Sequence, residues 1–205
     1  TLVNALLAYR PEIARADLDP QRPGIVHRLD RETSGLLVVA ADREAQVALQ
    51  AMFKGRTVHK VYLALVYDQL LPERGAIEAP IGRDPVHRRR MAVLPEGGRP
   101  ARTEYVVREN LEGATLVEAT LVTGRTHQLR VHFASIGHPI VGDSVYGRRR
   151  ERIVAPRQFL HAWQLSFTHP MTGEPLSFTS ELPADLASVL ASLRETSPHR
   201  PARSR

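Results

Sequence analysis

The segment from Gly24 to Gly35 concentrates side chains that could do chemistry. It reads GIVHRLDRETSG, and Asp30 stands in it between Arg28 and Arg31. Guanidinium groups close to a carboxylate favour its ionised form, which only accepts hydrogen bonds. An ionised carboxylate in a partly dry site can act as a nucleophile or a base. The same composition also fits an aspartate that caps a turn or pairs with a neighbouring arginine, so Asp30 is a candidate on this evidence and no more.

A second dense segment, TGRTHQLRVH, runs from Thr123 to His132. Its pattern predicts the end of a strand, a turn at Gly124 and the start of a helix. Backbone N–H groups at a helix start have no partner within the helix and can bind an anion, and Arg125 adds positive charge beside them. Arg130 lies about one helical turn further on and could face the same cavity. An ordinary strand, turn and helix with surface arginines fits the segment equally well.

Cysteine and histidine usage excludes several classes of site. The sequence has no Cys, which excludes disulfides, thiolate metal sites and a cysteine nucleophile. His127 and His132 are five residues apart and miss the four-residue spacing of a helical metal pair. We therefore predict no metal site and interpret these two histidines, with His27, as hydrogen-bonded packing residues.

The positive charge is clustered along the chain. The formal net charge is +6, and every basic residue except Lys54 and Lys60 is an arginine. The arginines concentrate in residues 83–102, 148–157 and 194–205. Segregated positive charge predicts a polyanionic partner, and arginine suits bidentate contacts to phosphate. No apolar run approaches the roughly 20 residues that span a bilayer, so we expect a cytoplasmic protein with no membrane partner.

Helical and strand periodicities alternate along the chain, which is typical of an α/β or α+β domain. The predicted helices are an opening helix with Leu2, Val3, Leu6 and Leu7 on one face, a helix capped by Asp42 and ending near Lys54, a helix from Thr126 to Ile136, and a last helix after Pro183. The predicted strands are Leu36–Ala40, Thr57–Val66, Ala101–Arg108, Ala114–Val122 and a hairpin of Phe159–Phe167 with Leu176–Phe178. We expect one domain over residues 1–196 and a flexible basic tail over residues 197–205.

Three ordered motifs carry a family resemblance. HRLDRETSGLLVVA, then KVYLALV at Lys60–Val66, then TGRTHQLRVHFASIGHPIVGDSVYG together resemble the RluA-type family of pseudouridine synthases. RDPVHRRRMAV, followed by the GRPA run of residues 98–101, resembles the RluD-like branch that acts on large-subunit ribosomal RNA. The resemblance implies an α+β fold with a mixed, mostly antiparallel sheet, flanking helices and a central basic cleft.

The resemblance also implies a reaction and three catalytic residues. Uridine in RNA is isomerised to pseudouridine without redox change or net hydrolysis, so we expect no cofactor. The family's catalytic aspartate corresponds to Asp30, acting as a nucleophile or as the base of a glycal route, and its basic partner corresponds to Arg130. Tyr62 corresponds to the tyrosine that stacks on the uracil and can assist removal of the carbon 5 proton.

RNA binding is assigned to arginines. A stacked uridine must be extruded from folded RNA, and Arg28 resembles the family residue that fills the vacated space. The remaining predicted RNA contacts, mostly to phosphates, are Arg31, Arg88, Arg89, Arg90, Arg125, Arg148, Arg149 and Arg150. We expect the protein to be a monomer.

Two alternatives stay open on the sequence alone. A ribosome-assembly factor that binds ribosomal RNA without chemistry would use the same basic clusters. A glycoside or nucleoside hydrolase would need a second carboxylic acid, for which Glu32 beside Asp30 is a poor candidate. Family members usually begin with strands bearing a Lys-Pro motif, often after a small RNA-binding domain. Neither is present here, so we expect the sequence to be part of a longer protein.

Overall fold

A mixed β-sheet organises the chain in a computed structural model that describes residues 1–11, 13, 22–148 and 152–196. The helices are α1 (Leu2–Tyr9), α2 (Arg43–Gly55), α3 (Gln128–Ser135) and α4 (Ala184–Thr196). The strands are β1 (Ser34–Gly35), β2 (His59–Tyr67), β3 (Arg74–Glu78), β4 (Ile81–Arg83), β5 (Met91–Val93), β6 (Arg102–Leu111), β7 (Ala114–Leu121), β8 (Leu160–Thr168) and β9 (Pro175–Thr179). The predicted tail, residues 197–205, lies outside the described residues.

The strand order in the main sheet is β1-β8-β2-β7-β6-β3, with β9 also paired to β8. β1 runs parallel to β8, and the other pairs in this sheet are antiparallel. β4 and β5 form a separate two-stranded hairpin. The prediction of an α+β fold with a mixed, mostly antiparallel sheet is confirmed.

β2 shows why two cores form, one on each face of the sheet. Successive side chains of a strand point to opposite faces. Tyr62 and Ala64 pack in the cluster that includes Leu129 and Phe133 of α3. Leu65 packs in the cluster that includes Leu186 and Leu190 of α4. The alternation predicted for this strand is confirmed, and it turns Tyr62 toward the side of the sheet that carries α3.

The predicted helices are present with small shifts of their ends. Asp42 caps α2, because its Oδ1 accepts a hydrogen bond from the Ala45 N–H at 2.8 Å. α3 begins at Gln128, two residues later than predicted, and α1 buries none of its residues. No helix in the described ranges has the length and apolar character needed to cross a membrane.

The prediction of a buried strand over Leu36–Ala40 is wrong. The regular pairing is confined to β1, with one isolated bridge between Ile25 and Val39. Most of the segment is only half-buried. A short apolar run does not by itself identify a strand, and here the chain leaves β8 after Gly35 and folds back toward Ile25 instead.

His27 links the Asp30 loop to Val38 and to α2. Its Nε2 accepts a hydrogen bond from the Val38 N–H at 2.9 Å, and its ring stacks on Phe53 of α2 with 4.4 Å between centroids. Burial, assisted by the charge of Lys60, lowers the pKa of His27 from 6.5 to about 4. The folded protein therefore holds this imidazole neutral, as the accepted hydrogen bond requires.

Acid should destabilise the fold through His27. Below pH 6.5 the unfolded chain takes up a proton that the folded protein resists until about pH 4, so stability falls as the pH drops across that interval. Urea unfolding at pH 7 and pH 5 should show that the wild type loses about 1–2 kcal/mol more than His27→Gln. Glutamine can still accept from the Val38 N–H but does not titrate. An equal loss in both proteins would contradict the assignment.

Candidate active site

The loop that carries Asp30 is held against the sheet by a close backbone approach. The Thr33 N–H donates to the Asp30 carbonyl at 3.0 Å, which turns the chain after Asp30. Gly35 follows with φ of 107°, and a Cβ there would lie 2.2 Å from the Ala162 carbonyl oxygen. Only glycine fits this position without displacing the loop from β8. The Asp30 side chain is left 16% exposed.

Arg130 of α3 bridges two carboxylates. Its Nε and Nη2 donate to the two oxygens of Asp143 at 2.7 and 2.9 Å, and its Nη1 lies 3.4 Å from Asp30 Oδ2. The side chains of Arg130 and Asp143 are 7% and 0% exposed. Burial alone would lower the pKa of Arg130 and raise that of Asp143, but their mutual hydrogen bonds and charges outweigh it in both. The guanidinium is therefore a fixed cation whose remaining donor edge faces Asp30.

His127 also faces Asp30. It precedes α3 in the left-handed conformation, with φ of 55°. Its Nε2 lies 3.9 Å from Asp30 Oδ1, and its Nδ1 lies 2.9 Å from the hydroxyl of Tyr146. That hydroxyl already accepts from the Met91 N–H at 2.8 Å, so its own proton is free to be donated to Nδ1.

His127 is uncharged in these surroundings. Burial lowers its pKa despite the opposing charge of Asp30, so the ring is neutral at neutral pH. In the tautomer in which Nδ1 accepts from Tyr146, the ring proton is on Nε2, the nitrogen that lies 3.9 Å from Asp30 Oδ1. Arg130 Nη1 and His127 Nε2 thus lie beside different oxygens of the Asp30 carboxylate.

Tyr62 presents its ring to the same space as Asp30. It is buried in β2, and its hydroxyl has no hydrogen-bond partner among the described residues. Burial, with the negative charge of Asp30, raises the pKa of Tyr62. The side chain is therefore an uncharged phenol at neutral pH, with an aromatic face available for stacking.

Asp30, Tyr62 and His127 line a cavity of about 610 Å³, within the range of about 300–1,000 Å³ typical of small-molecule sites. Arg130 contacts Asp30 but does not itself line this cavity. Asp30 is the one carboxylate among its described lining residues. The cationic residues that line it are Arg28, Lys54, Arg56, Lys60, Arg99 and Arg125. The described residues hold no group of three or more His, Asp or Glu side chains placed to bind a metal ion. The arrangement suits an anionic ligand with a flat, base-sized part beside Asp30.

Comparison with known proteins identifies the family. A model of the family described as RNA pseudouridylate synthase matches residues 4–135 of the chain. This chain belongs to that family. It is 50% identical over 206 residues to the ribosomal large subunit pseudouridine synthase D of Nitrosomonas europaea, a match that covers 97% of this chain and 58% of that protein. An uncharacterized RNA pseudouridine synthase of Chloroflexus aurantiacus is 52% identical, with coverages of 95% and 60%.

Solved structures agree with this assignment. Human RNA pseudouridylate synthase domain containing 1 superposes with a TM-score of 0.72 and 31% identity, covering 97% of this chain and 87% of that one. Human RNA pseudouridylate synthase domain containing 4 gives a TM-score of 0.75 and 25% identity, with coverages of 94% and 83%. The chain spans about three fifths of the length of the two bacterial relatives.

The structure separates the predicted RNA contacts of this family member into three groups. Arg28 and Arg125 line the cavity. Arg31, Arg88, Arg89 and Arg90 are exposed outside its lining. Arg148 forms an ion pair with Asp68 and lies 4.7 Å above the ring of Tyr67, so its charge is already partnered. Arg149 and Arg150 lie outside the described residues.

The sequence alone did not identify three polar residues as part of the site. Asp143 anchors Arg130, and His127 was interpreted only as a packing residue. Gln128 holds the loop before α3: its Oε1 accepts from the Thr123 hydroxyl at 2.7 Å and the Arg125 N–H at 3.0 Å. All three lie within the third motif, so their positions were in view, but their contacts depend on how the chain folds back around α3.

Proposed function

We propose that this chain isomerises uridine to pseudouridine in RNA, with large-subunit ribosomal RNA as the substrate class. The observation that carries the proposal is that Asp30 and Tyr62 line one cation-rich cavity while Arg130 contacts Asp30, in a member of this family. The names of the relatives from Nitrosomonas europaea and Neisseria meningitidis support the ribosomal substrate.

Asp30 is the proposed catalytic residue. The reaction breaks the bond between N1 of uracil and C1′ of the ribose, forms a bond between C5 and C1′, releases the C5 proton and leaves a proton on N1. A carboxylate can attack C1′ as a nucleophile or remove a ribose proton to give a glycal, and both routes need it ionised. The guanidinium of Arg130, 3.4 Å from Asp30 Oδ2, would hold the carboxylate in position.

Tyr62 is the proposed platform for the uracil. The detached base must turn over without leaving, and an aromatic face beside Asp30 can retain it by stacking. Because its pKa is raised, Tyr62 is protonated at neutral pH and suits stacking better than service as a base. Assistance in removing the C5 proton would require its ionised form or a relay through its hydroxyl.

Arg28 is the proposed residue for the space left in the RNA. It is exposed at the rim of the cavity, two residues before Asp30, and its planar guanidinium can stack on bases. One chain supplies all the side chains invoked here, so we propose that the protein is a monomer. We propose that it acts in the cytoplasm, where ribosomes are assembled.

Tritium release tests the proposed function. The full-length protein is incubated with a fragment of large-subunit ribosomal RNA labelled at carbon 5 of uridine. Isomerisation should release tritium into water in step with pseudouridine formation. Tight RNA binding with no release would instead support a non-catalytic assembly factor. Pseudouridine mapping in ribosomal RNA from cells lacking the gene identifies the target uridine.

The tip of the β4–β5 hairpin should contribute sequence-independent RNA affinity. Arg88, Arg89 and Arg90 are exposed there. Replacing all three with alanine should weaken binding to different RNAs equally and flatten the plot of log affinity against log salt by about two units, since each phosphate contact contributes ~0.7–0.9. Arg74→Ala, an exposed arginine at the start of β3, should leave the slope unchanged. A full slope in the triple variant would show that the hairpin faces away from RNA.

A further inference from the structure

Lys60 is a mostly buried residue whose ammonium has no anionic partner among the described residues. Its side chain projects from β2 into the cavity, and the residue is only 9% exposed. Its ammonium lies 5.6 Å from the centroid of the Phe53 ring, and it has no salt bridge or side-chain hydrogen bond to the described residues. No fully buried side-chain nitrogen or oxygen of the described residues lacks a hydrogen-bond partner, so the unpartnered Nζ of Lys60 is not fully buried, and the residue lines the cavity. A lysine held at this position can bind an anionic group that enters the cavity.

Arg56, Arg99 and Arg125 line the same cavity as Lys60. Arg56 follows α2, and its charge, together with burial, lowers the pKa of Lys60. The pKa of Arg125 is lowered first by burial and then by the charges of Arg99 and Arg56. These cations are close enough to repel one another, and no carboxylate other than Asp30 lines the cavity among the described residues. Like charges held together in this way form a preorganised site for an anion.

The spacing along β2 relates this cluster to the reaction centre. Lys60 and Tyr62 are two residues apart on one strand, so their side chains share a face and their Cα atoms are separated by roughly 7 Å. That separation is comparable to the distance between the base and the phosphate of one nucleotide. A nucleotide whose uracil lies on Tyr62 would therefore bring a phosphate within reach of Lys60.

We propose that Lys60, with Arg56 and Arg125, forms a phosphate subsite that holds one phosphodiester of the flipped nucleotide. The identity of the base beside this subsite rests on the proposed function. The subsite itself predicts that the cavity binds a nucleotide in preference to a nucleoside. Phosphate recognition here would fix the extruded nucleotide by its backbone and leave its base free to turn over on Tyr62.

Calorimetry with four small probes tests the subsite. Uridine, uridine 3′-monophosphate, uridine 5′-monophosphate and inorganic phosphate are titrated into the full-length protein and its Lys60→Met variant. The wild type should bind at least one monophosphate about tenfold or more tighter than uridine, a difference of about 1.4 kcal/mol. Lys60→Met should remove that preference and leave uridine affinity unchanged. Inorganic phosphate should also bind the wild type more tightly than Lys60→Met, which would locate the added affinity of the monophosphate in its phosphate group.

Controls distinguish the subsite from a general charge effect and from a structural role. Arg108→Met removes a charge from a residue paired with Glu118 on the opposite face of the sheet and should keep the preference. Lys60→Met should melt at the same or a higher temperature than the wild type, because it removes a desolvated charge. If it unfolds, the comparison is made with Lys60→Gln, which must also lose the preference.

Two results would overturn the subsite: equal affinity of the wild type for uridine and both monophosphates, or an undiminished preference in the Lys60 variants. Neither depends on turnover. A protein that releases tritium but shows no phosphate preference retains the proposed function and loses the subsite. A protein with the preference but no tritium release retains the subsite and loses the proposed function.

Discussion

Asp30→Asn should abolish uridine isomerisation while folding and RNA affinity survive. The substitution keeps the size of the side chain and removes the negative charge that faces Arg130 at 3.4 Å. Loss of general acid–base help alone typically costs about 10²–10⁴-fold. Loss of a group that forms a covalent intermediate or carries an obligatory charge should cost more. Tritium release measures turnover, and filter binding measures RNA affinity.

A neighbouring carboxylate gives the matched control for Asp30. Glu32 lies two residues later in the same loop, is exposed and does not line the cavity. Glu32→Gln should therefore retain turnover, whereas a hydrolase with paired carboxylates in this loop would lose it. More than about a tenth of wild-type turnover in Asp30→Asn would show that Asp30 is not the catalytic residue. Thermal unfolding must show that both variants are folded, so that lost activity reports on chemistry.

Asp143→Asn should be the most destabilising single change in the site. It leaves the buried guanidinium of Arg130 without the carboxylate that binds it through two hydrogen bonds. Removing one partner of a buried pair typically costs about 3–5 kcal/mol. The free energy of unfolding from urea denaturation should fall by that amount. Arg130 would also lose its orientation toward Asp30, so kcat should fall while RNA affinity changes little.

The exposed pair of Asp68 and Arg148 provides the comparison for Asp143. Both partners are partly open to solvent, and exposed ion pairs contribute about 0–1 kcal/mol. Asp68→Asn should therefore lower the free energy of unfolding by less than about 1 kcal/mol and leave kcat unchanged. Similar costs for the two substitutions would contradict the view that Asp143 is the structural anchor of the site.

Local pattern was sufficient to predict most elements but not their connections. The Asp42 cap, the alternation in β2 and the pairing of β8 with β9 all follow from neighbouring residues, and all are confirmed. The strand predicted over Leu36–Ala40 is wrong because its apolar residues serve loop packing rather than a ladder. β3, β4 and β5 were not predicted, since their short segments carry weak periodicity.

The candidate site was likewise only partly predictable from the sequence. The motifs identified Asp30, Tyr62 and Arg130 as residues that belong together. The structure places Asp30 and Tyr62 in one cavity and Arg130 against Asp30, although their roles stay predictions. The anchoring of Arg130 by Asp143 and the contact of His127 with Tyr146 were not predictable from the residues. Both depend on three-dimensional contacts, namely the return of residues 143–146 to α3 and the approach of Met91 to Tyr146.

The wide separation of paired strands along the chain determines when the site can assemble. Asp30 and Arg130 are 100 residues apart in sequence, and β2 lies between β7 and the late strand β8. During synthesis, β2 can pair with β7 as soon as β7 emerges, but its other edge waits for residues 160–168. Until then the Asp30 loop also lacks Ala162, against which Gly35 packs. Such long-range closure is slow and comes late in folding, so a nascent chain contains all three candidate catalytic residues well before it can bring them together.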